Sequence, residues 1–394
     1  MAVLCIGEML IDFIGEGVGK IDTVKSFKKE AGGCVANVAC VTQKLGHKSY
    51  LLTSLGEDGF GDFLENTLKK ENVDCKYVSR KGHSFTPLAF VSLDETGDRS
   101  FSFYFKGSSA LKISKEDVEK VDLSEIEAIH FASIAIQEES KDSHHLLLKK
   151  AKEAGVLVCF DVNLRFNLWE DKKVYLETIK EFLSYVDVIK VADNELEFLT
   201  GTTNIDEALE KDFSHIKVVL YTKGEHGAEV YYQDKKAVTE IPNVKAIDTT
   251  GAGDAFAGSF LSKLLNHSNL DEITEDELSE MATFATNYAS LTTTKTGAIS
   301  SYLTEEEYKK LEALAAKMMV SAYKRQLIYL NPKEYQNVSE EKWKENFLNP
   351  KRSGRVEGEA LDFQIIYPLA KTADDGEWEK SKLKKVIKYI QKQI

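Results

Sequence analysis

The stretch DTTGAGDAFAGSF, residues 248–260, sets glycines and aspartates directly ahead of an apolar run. Glycine at a helix entry costs backbone entropy, so the pattern needs a reason. A helix that starts within Gly251-Ala252-Gly253 leaves its first N–H groups unpaired and facing outward. Those donors and the helix dipole make an anion site, and the missing side chains let a phosphate approach the backbone. The stretch is not a Walker A loop, which carries Lys-Ser/Thr after the second glycine. Nor is it a dinucleotide fingerprint, because Phe256 stands at the third glycine position of GxGxxG. Asp254 is the unusual member. A carboxylate beside a phosphate cradle repels the bound group unless it handles a proton. Phosphoryl transfer to a hydroxyl requires such a base in line with the γ-phosphate.

The rest of the chain sets the frame for that site. It has 394 residues, 43% hydrophobic and 29% charged, the profile of a soluble globular protein with one large α/β domain plus an addition, or two domains. A formal net charge of −13 excludes nucleic-acid binding through a generally basic surface. It leaves room for one electropositive nucleotide site. The N-terminal run MAVLCIGEMLIDFIG has no basic leader and is interrupted by Glu8 and Asp12, so it reads as folded chain rather than a signal peptide. No stretch approaches the ~18 uninterrupted apolar residues of a membrane helix. The five cysteines form no CxxC pair and read as reduced thiols of a cytoplasmic protein.

Strand-like runs at 3–6, 50–52, 128–132, 156–160, 186–191 and 218–221 alternate with helix-like runs at 35–45, 62–71, 146–154, 174–185 and 255–265. Such alternation predicts βαβ units around a parallel sheet, with ligands bound beyond the C-terminal ends of its strands. Residues 86–105, TPLAFVSLDETGDRSFSFYF, break the rhythm with period-two alternation around a polar turn at 94–98. They predict a hairpin leaving the main sheet. The last part differs again. Residues 321–394 hold 15 Lys+Arg against 11 Asp+Glu, net +4, and end in an amphipathic helix with Leu383, Ile387, Ile390 and Ile394 on one face. They read as an extension appended to a domain spanning 1–320, its lysine-rich last helix a solvated face; nucleic-acid binding by that helix is the rival reading.

The 248–260 stretch resembles the signature of the ribokinase/PfkB carbohydrate kinases, closest to the fructokinase branch. Five further segments carry the resemblance: IGEMLID (6–12), AGGCVAN (31–37), RSFSFYFKGSSA (99–110), DVNLR (161–165) and FATNYASLTTTKTGA (284–298). It implies a ribokinase-like three-layer α/β/α fold with a mostly parallel sheet, and a small β-lid from about 13–29 and 86–105. It also implies ATP-dependent transfer to a sugar primary hydroxyl, D-fructose to fructose 6-phosphate being the best expectation. Rivals are a 2-keto-3-deoxygluconate kinase, a ribose or nucleoside kinase, and a silent sugar-sensing relative.

Carried over residue by residue, the resemblance makes Asp254 the general base and the Gly251, Ala252 and Gly253 amides the stabilisers of the transferred group. Asp12 is read as ending a buried strand and meeting the sugar with Gly32, Gly33, Asn37, Phe103 and Arg165. Lys190, Thr222, Gly224, Gly227 and Asn287 fall on the nucleotide side with Gly251 and Gly253. Glu195 corresponds to the indirect Mg2+ organiser of an NxxE motif, although Ala192 stands at its first position. Asp248 and Thr250 fall where a monovalent cation, K+, is held. Homodimerisation through the lid is implied, with neither nucleic acid nor membrane as partner. Trp169, by its own chemistry, reads as packing rather than sugar stacking.

Overall fold

Short β-branched and aliphatic runs, buried on both faces, form the centre of a parallel sheet. In the computed structural model, which describes residues 2–93, 99–242, 244–267 and 269–312, the strands are β1 (Ala2–Ile6), β2 (Leu10–Val18), β3 (Phe27–Gly32), β4 (Lys48–Gly56), β5 (Val78–Lys81), β6 (Leu88–Leu93), β7 (Arg99–Tyr104), β8 (Ile126–Ala132), β9 (Leu157–Asp161), β10 (Val188–Ala192), β11 (Val218–Thr222), β12 (Ala228–Tyr232) and β13 (Lys235–Thr239). The helices are α1 (Cys34–Lys44), α2 (Gly59–Lys70), α3 (Lys115–Glu119), α4 (Glu138–Ala154), α5 (Lys172–Leu183), α6 (Asp193–Thr200), α7 (Ile205–Lys211), α8 (Ala252–Leu265) and α9 (Glu275–Thr292).

The main sheet runs β13-β12-β11-β10-β9-β8-β1-β4-β5. Neighbours from β5 to β11 are parallel, and β12 and β13 close one edge as an antiparallel meander. One face packs Leu147 and Leu148 of α4, Tyr175, Ile179 and Phe182 of α5 and Leu196 of α6 against the strands. Helices α1, α8 and α9 pack against one another on the other face. Helix α4 runs further than the 146–154 expected, because an αL Gly155 stops it while its polar N-terminal half continues the same helix.

A second sheet, β3-β2-β6-β7, forms the lid. The expected hairpin is present, β6 pairing with β7 from Leu88↔Tyr104 to Leu93↔Arg99. Its turn at 94–98 lies outside the described residues.

One expectation is corrected here. Asp12 does not end the first buried strand: β1 stops at Ile6, Gly7 turns at φ 145, and Asp12 lies inside β2 of the lid. The apolar run 9–14 continues through the break because both sheets need it, so hydropathy hides the boundary. The lid accordingly starts at Leu10 and includes Phe27–Gly32, several residues beyond the expected 13–29.

Among the described residues no helix is long and apolar enough to cross a membrane. The chain clusters into two units, Met1–Thr304 and Glu305–Ile394. The second is described only over 305–312, which is helical, so the expectations placed on 321–394 lie outside the described residues.

Candidate active site

The C-terminal ends of β1, β9 and β10 open onto a cleft of ≈ 250 Å³ roofed by the lid. Ten expected residues line it: Asp12, Gly33, Asn37, Phe103, Arg165, Lys190, Thr250, Gly251, Gly253 and Asp254. Period-two alternation along β2 is what points Leu10, Asp12 and Ile14 into the cleft together. Gly32 lies against the Asp12 carboxylate, where a Cβ would collide with it.

Helix α8 begins at Ala252, with Gly251 as N-cap at φ 76. That left-handed conformation is natural to glycine, and a side chain there would strike Ala298 and the Tyr302 hydroxyl. The N-cap has no side-chain partner for the helix's first amides, as an anion cradle requires. Behind it, Asp248 fastens the loop. One carboxylate oxygen accepts from the Thr250 amide (2.9 Å) and hydroxyl (2.7 Å), the other from the Gly297 amide (2.8 Å). Tyr302 donates to the Gly251 carbonyl at 3.2 Å.

Asp254 sits in the first turn of α8, buried, with Oδ2 accepting from Asn37 Nδ2 at 2.7 Å. This pair joins α8 to α1 across 217 residues of chain. One turn further along each helix, Gly258 faces Val41 so closely that a Cβ would come within 2.9 Å of the valine. Gly258 is therefore what lets the two helices approach closely enough for the pair to form. Helix α1 starts at Gly33, which has no capping side chain. Buried Glu8 substitutes, its Oε1 accepting from the Cys34 amide and thiol, both at 2.8 Å.

The cleft concentrates charge. Burial pushes the Asp254 carboxyl up to about 7; Asp161 adds to the rise, while Asn37, Lys190 and Arg165 oppose it. Burial likewise pushes Asp12 up to about 7 against the pull of Arg165, with Asp254, Asp248 and Glu30 adding to the rise. Glu8 is also raised by burial. Lys190 pairs with Asp161 at 3.0 Å; burial alone would lower its pKa, but Asp161, Glu195 and Asp254 hold it raised and charged. Its ammonium lies about a side-chain contact from Gly253, within 3.6 Å of where a Cβ would stand.

Other expected residues stand back from the cleft. Glu195 is buried, its two oxygens accepting from the Leu164 and Ala192 amides, each at 2.8 Å. It bridges α6 to the loop after β9. Thr222 ends β11 beside Ala192 of β10. Gly224 and Gly227 form the tight turn into β12, where a side chain at Gly227 would strike the Thr239 carbonyl. Asn287 is half-buried on α9. Trp169 stacks on Tyr175 at 4.3 Å, packing as expected. No group of three or more His, Cys, Asp or Glu among the described residues could hold a metal.

Glu8, Cys34, Asn163 and Phe101 also line the cleft, although none was singled out from the sequence. Glu8 and Asn163 each follow a parallel strand by two residues, and that position was the available signal.

The pfkB family carbohydrate kinase profile matches residues 2–305. The probable fructokinase-5 of Arabidopsis thaliana is 38% identical over 316 residues, 78% of this chain and 96% of that protein. The fructokinase of Xylella fastidiosa with bound ATP matches at TM-score 0.73 and 26% identity, covering 80% of this chain and 99% of that one. A fructokinase double mutant from Vibrio cholerae O395, bound to fructose, ADP and potassium ion, matches at TM-score 0.70 and 30% identity, covering 78% and 98%. This chain belongs to the pfkB family of carbohydrate kinases, and its reaction is the ATP-dependent phosphorylation of a sugar.

Proposed function

We propose that the enzyme phosphorylates D-fructose at its primary hydroxyl, giving fructose 6-phosphate, with Asp254 as general base. The observation that carries this reading is the buried Asp254 carboxylate, held by Asn37 in the first turn of a helix whose N-terminus is an uncapped anion site. Fructokinases recur among the relatives of this chain, which supports the choice of sugar.

In the proposed reaction Asp12, Asn37 and the Gly33 backbone orient the sugar, with Phe103 of the lid against it. Asp254, poised near neutrality, takes the proton of the attacking hydroxyl as its oxygen bonds to the γ-phosphorus and the bond to the β–γ bridging oxygen breaks, releasing ADP. The Gly251, Ala252 and Gly253 amides and the Arg165 and Lys190 cations face the charge developing on the transferred group. The lid keeps water, the competing acceptor, from the cleft. Mg2+ would be carried here mainly by the nucleotide's phosphates and water. When bound it neutralises phosphate charge. Glu195 would serve it indirectly, through the Leu164 and Ala192 backbone that it holds, and K+ would be held around Asp248 and Thr250. Thr222, Gly224, Gly227 and Asn287 form the nucleotide's flank.

Of the exposed large apolar side chains, Val18, Ile21, Phe85, Phe101 and Tyr104 lie in or beside the lid. They support pairing of two copies through their lids. Five free cysteines, four of them buried, support a reducing, cytoplasmic setting.

A sugar panel assayed for ADP release with Mg-ATP tests the reading. D-Fructose should give the highest kcat/KM. Preference for 2-keto-3-deoxygluconate, ribose or a nucleoside would replace fructose with that substrate, and absence of sugar-dependent ADP would point to a silent sugar sensor.

A further inference from the structure

Resting on the sugar-kinase reading, one element of the site has no assigned support: the 161–165 loop that delivers Arg165. Arg165 has no packed helix or strand of its own. It follows Asn163, which turns the chain at φ 36, a left-handed conformation that asparagine tolerates. What holds the loop is a set of side chains from three distant elements. The Arg165 amide donates to the Tyr175 hydroxyl of α5 at 3.2 Å. The Tyr175 and Ser133 oxygens are 2.6 Å apart, and Ser133 is hydrogen-bonded to the Val162 carbonyl. Ser133 has one proton, and with the Val162 and Asn163 carbonyls both placed to accept it, Tyr175 is assigned as the donor to Ser133. The bonds therefore run one way: Arg165 amide to Tyr175, Tyr175 to Ser133, Ser133 to Val162. Glu195 adds the fourth bond, accepting from the Leu164 amide at 2.8 Å.

We propose that Tyr175 is a positioning residue for phosphoryl transfer, acting with Ser133 and Glu195 to hold the Arg165 backbone in the cleft that Asp12 and Asp254 also line. The tyrosine is built for a fixed aim. Its ring is fully buried, stacked on Trp169 at 4.3 Å and met edge-on by Phe166. Burial pushes its hydroxyl up to about 12, so it stays a neutral donor at working pH. Its target has a definite task. Arg165 is the leading charge that pulls Asp12 down, and it also pulls Asp254 down. The other groups facing Asp254 are Asn37 from α1, Asp161 from β9, Lys190 from β10 and Asp12 from the lid. Cys34 and Tyr302 lie on its remaining sides, both with raised pKa values. Losing the hydroxyl removes the acceptor of the Arg165 amide and leaves those groups in place.

The test is Tyr175→Phe in the full-length chain, which keeps the stacked ring and removes one oxygen. The expected kcat falls ~10-fold, the scale of a buried hydrogen bond left unmade. The ATP KM stays within about 2-fold. The acid limb of kcat/KM for sugar moves to higher pH, because both carboxylates rise when Arg165 is no longer held beside them. Trp169→Phe is the control: it loosens the packing but leaves the hydroxyl, so melting temperature should fall while the acid limb stays. A folded Tyr175→Phe with wild-type kcat and acid limb overturns the proposal, as does an equal displacement of the limb in Trp169→Phe. If Tyr175→Phe does not fold, Ser133→Ala interrupts the same chain of bonds, and an unmoved limb there overturns it equally. Failure of the sugar-kinase reading is separate, because it would be seen in the wild-type enzyme as absence of sugar-dependent ADP.

Discussion

Two loops deliver charge to the cleft, and they are secured in opposite ways. The 248–251 loop is fastened partly by its own residues, Asp248 accepting from Thr250 two positions on, and partly from behind by Thr293, Gly297 and Tyr302. The 161–165 loop is fastened by Ser133, Tyr175 and Glu195, none of them within it. A loop that secures itself carries its geometry in its motif. A loop secured from elsewhere carries only its cargo, here Asn163 and Arg165. The difference teaches where to look for support in a site: the first loop holds part of its own support in its motif, the second takes most of its side-chain support from elsewhere.

The largest expected effect breaks the first loop's product directly. Asp254→Asn should cut kcat by ~10²-fold or more, on the scale of lost general-base catalysis, with sugar and ATP binding retained by calorimetry. Near-normal turnover would remove Asp254 from its role. Next, Asp248→Ala removes the acceptor of three bonds and should lower stability by about 2–3 kcal/mol in urea unfolding. A loss no larger than that of Tyr175→Phe would erase the contrast between the loops. Gly258→Ala pushes α8 from α1 and should cost about 1–2 kcal/mol, with kcat falling as the Asn37–Asp254 bond lengthens. Unchanged kcat would show that the close approach of the helices serves stability alone.

The smallest effect concerns pH. Asp254 and Asp12 have folded pKa values raised to about 7 from ordinary values of 3.8. Between those limits the folded, ligand-free protein binds more protons than the unfolded chain, so stability falls as pH rises from about 4 to about 7. With Asp254 as the proposed base, activity should run the other way, because a base must be ionised to accept a proton. Asp254→Asn should therefore melt higher than wild type above pH 7 and match it more closely below pH 4. An equal difference at both pH values would show that Asp254 carries no burial penalty.

These contrasts also explain what could be read in the chain beforehand. The parallel core was legible because runs such as Val218–Thr222 are short, apolar and bounded by turn residues. The lid hairpin was legible because β6 and β7 alternate at period two. Strand β2 was not, since apolar residues continue from β1 across the Gly7 turn. Asp12 consequently lines the cleft from β2 of the lid rather than from the end of β1. Glu8 was passed over as an interruption of the N-terminal apolar run, although it caps α1 through Cys34.

By itself, then, the sequence determined the glycine entry of α8, the carboxylate placed in its first turn and the alternation that builds the sheet. Each depends on backbone geometry within a few residues, and local composition controls that. Only the tertiary structure decided that Asn37 meets Asp254, that Gly258 permits it, and that Tyr175 and Glu195 hold the loop of Arg165. Those pairings join segments from 10 to 217 residues apart. Their distances follow from how helices pack on the sheet, which no local pattern encodes.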